Sequence, residues 1–191
     1  MNQTGLGPTF VVWNPSAGSA ADTEALRARF ADRFGVNVAR TESEDDLRQR
    51  VRRALADGVR TVVAAGGDGT VHAVANVLAD EGASEVALGI VPIGTGNDTA
   101  RTLGVPLDPE EAAALLLDGR SRRRTIDLLE ADRDGGRVFA INTITGGNAA
   151  RVVEETDSEA KSKWGPLAYF GSAVSVLRRQ KVYRGRLWID D

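Results

Sequence analysis

The chain has 191 residues, is 42% hydrophobic and 27% charged, and sets 24 Lys+Arg against 27 Asp+Glu for a net charge of −3. That length supports one compact core, or one domain and part of another, and the acidic balance argues against a general nucleic-acid binder. The absence of cysteine excludes disulfides, thiolate metal sites and cysteine nucleophiles, and the single histidine, His72, excludes a multi-histidine metal centre.

"TFVVW" (9–13) is a β-branched and aromatic run that predicts a buried strand, ended by the loop "NPSAG". "DTEALRARFADRFG" (22–35) spaces Ala25, Leu26, Phe30 and Phe34 as a helix, with Asp22 as N-cap and Gly35 as stop. A second strand, 36–41, leads to a helix over 43–58, capped by Ser43, with acids in its first turn and arginines later, as the macrodipole favours. "RTVVAAGG" (60–67) is a third strand, and "TVHAVANVLADEG" (70–82) a helix. The fourth strand, "VALGIVPIG" (86–94), is followed by "TGND", a helix over 98–104, and a further helix over 108–119 with Pro109 in its first turn.

Strands thus alternate with helices four times, and the strands are apolar throughout. Both features predict an α/β fold: a doubly wound, mainly parallel sheet covered on both faces. The pattern changes near residue 120. Residues 122–147 read as two strands joined by a turn at "RDGG", followed by a polar helix (149–160), the run 164–180 and a final strand (183–191). The expected division is a nucleotide-binding domain over 1–125 and the start of a β-rich second domain over 126–191. A β-domain ending on its opening strands suggests a fragment. Its unpaired edge would fray, aggregate or pair with a second copy to form a homodimer.

No apolar run approaches the roughly 20 residues that span a bilayer, and "MNQTGLGPTF" does not read as a signal peptide, so a cytoplasmic protein is expected.

In a doubly wound sheet, ligands bind beyond the carboxyl ends of the strands. Three glycine-containing turns fall at such ends: "NPSAG", "GGDGT" and "GTGND". They offer backbone N–H groups, and two of them open helices whose N-termini favour phosphate, which points to a polyphosphate ligand. Asp68 within "GGDGT" has three readings: a partner of Mg²⁺, a base acting on an attacking hydroxyl, or a plain cap for the helix beginning near Thr70.

"GGDGTVHAVANVL" followed by "LGIVPIGTGNDTARTLGVP" resembles the catalytic domain of the diacylglycerol kinase and sphingosine kinase family of lipid kinases. "TIDLLE", "FAINTITGG" and "KSKWGPLAY" resemble that family's run into its second domain. The resemblance implies ATP and Mg²⁺ as cofactors and transfer of phosphate to a lipid hydroxyl at a membrane surface, with the protein peripheral to the inner face. By position it implies Asn14, Gly18 and Thr41 beside the nucleotide, and Gly66, Gly67, Gly69 and Thr70 around phosphate. Thr95, Asn97 and Arg101 would hold the nucleotide from the second turn. Asp68 would be catalytic, and Asp68, Asp98 and Asp127 would form an acidic cluster serving the metal.

The family commonly carries glutamate where this chain has Ala73. That departure keeps open a catalytically inactive nucleotide-binding module, and NAD kinase is a further alternative with a similar glycine-aspartate-glycine turn. His72 reads as packed or solvated rather than catalytic, and the Asp98–Arg101 spacing as a surface ion pair. "RSRRR" (120–124) reads as a solvated turn rather than a lipid contact. Trp164, Tyr169, Phe170, Arg178 and Arg179 read as a packed helix rather than an interfacial one.

Overall fold

The computed structural model describes residues 7–14, 20–34, 37–117, 122–133 and 136–144. By contacts along the chain, one compact unit runs from Met1 to Thr143 and a second from Ile144 to Asp191. The sequence readings over 149–191, with Gly18 and its loop, lie outside the described residues.

Four strands form a parallel sheet in the order β2-β1-β3-β4. They are β1 (Thr9–Trp13), β2 (Asn37–Arg40), β3 (Thr61–Gly66) and β4 (Ala87–Pro92). The connections are helices α1 (Ala20–Phe34), α2 (Glu44–Ala56) and α3 (Asp68–Asp80); α4 (Asp98–Leu103) and α5 (Pro109–Leu117) follow β4. The doubly wound α/β architecture expected from the apolar runs is the one observed. β1 and β3 are central, and alternate residues serve opposite faces, as a two-residue period requires. Phe10, Val12, Val62, Ala64 and Ile90 pack with Leu47 and Val51 of α2 and with Val71, Val74 and Val77 of α3. Val11, Trp13, Val63, Ala65 and Val91 pack on the other face with Phe30 of α1 and Ala113 of α5.

Trp13 is fully buried and meets Phe30 edge-on, with ring centroids 6.1 Å apart. Its indole N–H has no acceptor among the described residues.

Helix boundaries shift where caps differ from those expected. Ser43 caps α2, its Oγ accepting the Asp46 N–H at 3.1 Å. Asp22 is not the N-cap of α1, which begins at Ala20. Nor does α3 begin near Thr70: it starts at Asp68, with Gly67 as an extended N-cap. Asp108 caps α5, its Oδ1 accepting the N–H groups of Glu110 and Glu111, both at 2.9 Å.

Strands β5 (Leu129–Arg133) and β6 (Gly136–Ala140) form an antiparallel hairpin around the predicted "RDGG" turn. The hairpin belongs to the Met1–Thr143 unit and is fastened to α3 by Asn76. The buried Asn76 amide donates to Phe139 O at 2.6 Å and accepts from Phe139 N–H at 2.9 Å, so it pairs with β6 as a neighbouring strand residue would. Among the described residues no helix is long and apolar enough to cross a membrane.

Candidate active site

The glycine turns after β3 and β4 touch backbone to backbone. A Cβ on Gly94 would lie 2.4 Å from the Gly67 Cα, so only glycine permits this approach. Asp68 locks the same junction. Its Oδ1 accepts the Thr99 N–H at 2.8 Å and its Oδ2 the Asp98 N–H at 3.1 Å. It therefore serves the free N–H groups of α4, across the gap, rather than those of its own helix. Burial works to raise the Asp68 carboxyl, but the backbone amides of Thr99 and Asp98 outweigh it and hold the carboxyl below its ordinary value.

The second turn closes on itself. Asn97 adopts a left-handed conformation (φ 54°), accepts the Gly94 N–H at 3.1 Å and donates to Gly94 O at 2.7 Å. The first turn joins in through Asn14, whose Nδ2 donates to Thr70 Oγ1 at 3.0 Å and whose backbone N–H donates to Ala65 O. Gly66 lies directly under Thr70: a Cβ there would meet Thr70 Oγ1 at 2.3 Å.

These contacts border a cleft of about 440 Å³, a volume typical of small-molecule sites. Asn14, Thr41, Gly67, Gly69, Thr70 and Thr95 line it, so six of the residues expected around a nucleotide share one cavity. The other described ones fall elsewhere. Gly66 and Asn97 shape the turns from behind. Arg101 donates to Asp98 at 2.6 Å, and both side chains are exposed. His72 is half-buried beside Asn76, which donates to the His72 carbonyl at 2.9 Å.

Among the described residues no three acidic or histidine side chains gather as metal ligands. The expected cluster of Asp68, Asp98 and Asp127 is thus not formed. Asp127 is exposed in the segment 122–128, where Thr125, Ile126 and Leu128 line a different groove along β4. Asp68 and Asp98 do share a junction. A Cβ on Gly96 would lie 3.1 Å from Asp68 Oδ2 and 3.8 Å from Asp98 Oδ2. Two carboxylates beside a phosphate-favouring turn are the donor set Mg²⁺ takes, with waters completing its shell.

The groove along β4 is larger, about 620 Å³, and is edged by Arg122, Arg123 and Arg124. It shares no lining residue with the cleft, and no described residue of the glycine turns reaches it, so volume does not select the site.

Sequence reasoning missed Glu42, Ser43, Glu44 and Leu47 as lining of the cleft. The available signal was their place at the carboxyl end of β2, on the same sheet edge as the turns. It also missed Gly94, whose contact partner is distant in sequence.

An α/β sheet with apposed glycine turns, a cross-bonded aspartate and a cleft at the strand ends is an arrangement that suits a phosphate-bearing ligand. Residues 8–131 match the diacylglycerol kinase catalytic domain, and the chain belongs to that family. Among its relatives is a protein of Xanthomonas campestris pv. campestris named "Probable lipid kinase YegS-like", 40% identical over 169 residues that cover 85% of this chain and 54% of that one. A Pseudomonas aeruginosa protein of the same name is 37% identical over 178 residues, covering 91% and 56%. The solved structure of a diacylglycerol kinase from Bacillus anthracis matches with a TM-score of 0.51 and 32% identity, over 61% of this chain and 45% of that one. The chain spans about half the length of the curated relatives it matches.

Proposed function

We propose that residues 1–125 form the ATP-binding part of a kinase that transfers the terminal phosphate to a lipid hydroxyl, and that residues 126–191 belong to the part that receives the lipid. The observation that carries this reading is the single cleft shared by Asn14, Thr41, Gly67, Gly69, Thr70 and Thr95 at the junction locked by Asp68. Backbone N–H groups at the start of α3 suit phosphate oxygens, and the absence of side chains at Gly67 and Gly69 lets those oxygens approach. Asn14 and Thr70 hold each other in the cleft wall.

Asp68 and Asp98 are the side chains that would hold Mg²⁺, which neutralises phosphate charge when bound. A carboxyl held below its ordinary value is a weak base, so Asp68 suits charge and positioning better than proton removal. Asn97 and Arg101 act indirectly, by fixing the turn and the start of α4. The lipid acceptor follows from the names of the relatives. The catalytically inactive module stays in view for one reason: Ala73 puts a methyl group in the cleft lining, where the family commonly carries a carboxylate.

Binding and turnover are tested separately. Ligand that binds only the native state raises the melting temperature by mass action, adding about 2.7 kcal/mol of stability at a hundredfold excess over Kd. Millimolar Mg·ATP should therefore shift the unfolding of the chain upward. A well-folded sample with no shift would overturn the ATP reading. A shift without phosphate transfer to diacylglycerol in mixed micelles would favour the inactive module.

A further inference from the structure

We infer that Glu42 is the residue that reads the sugar of the nucleotide, an inference that rests on the ATP reading above and adds a specificity determinant to it. Glu42 follows Thr41 at the carboxyl end of β2, beside β1 in the order β2-β1-β3-β4. It lines the cleft together with Thr41, Ser43, Glu44 and Leu47, while Asn14 and residues within 67–73 and 94–95 supply the rest of the wall. The glycine-rich portion, at the start of α3, draws the phosphates. A carboxylate only accepts hydrogen bonds and repels phosphate, so Glu42 must face a part of the ligand that donates. In dinucleotide-binding doubly wound sheets, an acid at the end of the second strand takes the ribose hydroxyl, and Glu42 holds the corresponding place beside β1.

The backbone at Glu42 is pinned on both sides. Its N–H donates to Asp46 Oδ2 at 3.1 Å, and the Asp46 N–H returns a bond to Ser43 Oγ. The Glu42 amide holds the Asp46 carboxyl below its ordinary value. On the other side, the Thr41 backbone N–H donates to Trp13 O at 2.9 Å and its Oγ1 to the same oxygen at 3.3 Å, tying the loop to the centre of the sheet.

The neighbouring carboxylate is already engaged. Glu44 Oε1 accepts from Arg48 Nε at 3.1 Å and Nη2 at 2.8 Å. Glu42 is exposed and makes no ion pair among the described residues, so of the two glutamates in the wall it is the one available to a ligand.

Three ligands test this on the full chain by calorimetry: ATP, 2′-deoxy-ATP and inosine triphosphate, which lacks the exocyclic amine. ATP should bind the unaltered chain about tenfold more tightly than 2′-deoxy-ATP, the weight of one hydrogen bond to a charged group. Glu42→Ala should bring the two affinities together by weakening ATP and leaving 2′-deoxy-ATP unchanged. Glu42→Gln, which keeps one acceptor oxygen, should retain part of the preference. The ratio of ATP to inosine triphosphate should not change in either variant. A tenfold ratio that survives in Glu42→Ala would overturn the inference. So would a loss of the inosine ratio instead, since Glu42 would then read the base. If the unaltered chain binds none of the three, the ATP reading itself falls.

Discussion

Two regions of this protein are held in place by opposite means. The interior of the sheet is dry: Val11, Val12, Val62, Val63 and Val91 are fully buried, and their order comes from burial on both faces. The rim that carries the cleft and the hairpin is fixed by a few polar side chains that close a turn or cross between elements. These are Asp68 to α4, Asn97 to Gly94, Asn14 to Thr70 and Asn76 to β6. Interiors of the first kind tolerate swaps that conserve volume; a rim of the second kind depends on the identity of particular atoms.

The largest effect should come from the interior. Trp13→Ala removes a fully buried ring and its edge contact with Phe30, and should cost about 3–5 kcal/mol, read as a lower midpoint in urea unfolding. A small loss would mean that the face packed on α1 and α5 collapses readily onto the gap.

At the rim, Asn76→Leu keeps the branching of the side chain and strands the N–H and C=O of Phe139. The cost should be about 1–3 kcal/mol. Its signature separates the two regions: amide exchange should quicken at Phe139 and along β6 while β3 keeps its relative protection. Equal quickening in both would show that hairpin and sheet open together, and the contrast would fail.

Asp68→Asn should be smaller still in stability, about 1 kcal/mol, because an amide offers one acceptor oxygen to two N–H donors. The effect depends on pH. The folded-state carboxyl is held low, so its stabilisation is present above the unfolded value near ~3.9 and is lost as pH falls through the folded value. The gap in melting temperature between Asp68→Asn and the unaltered chain should therefore be open at neutral pH and close in acid. A gap independent of pH would assign the effect to packing rather than charge.

The same contrast explains what could be read from the sequence. Apolar runs such as "TFVVW" and "TVVAAG" revealed the strands, because burial on two faces leaves a continuous local signature. Glycine in the turns was legible for the same reason. Polar bonds over long separations leave no such trace. Asn76 and Phe139 are 63 positions apart, and Asp68 and Thr99 are 31 apart, so neither pairing follows from spacing. Asp68 could be recognised as important, yet the helix it serves could not be named. Asp127 was assigned to the metal by motif position, while the path of the segment 122–128 puts its neighbours against another groove.

The contact between Gly67 and Gly94 also governs how such a protein can change over generations. A lone substitution at position 94 must force the two turns apart, so a side chain there requires the stretch around 67 to move with it, though they are 27 positions apart (94 − 67). On the other wall of the cleft, Glu42, Ser43 and Glu44 are exposed on a pinned backbone, so substitutions there leave the junction intact. A lineage adapting to a different ligand would keep its glycines and rewrite that loop.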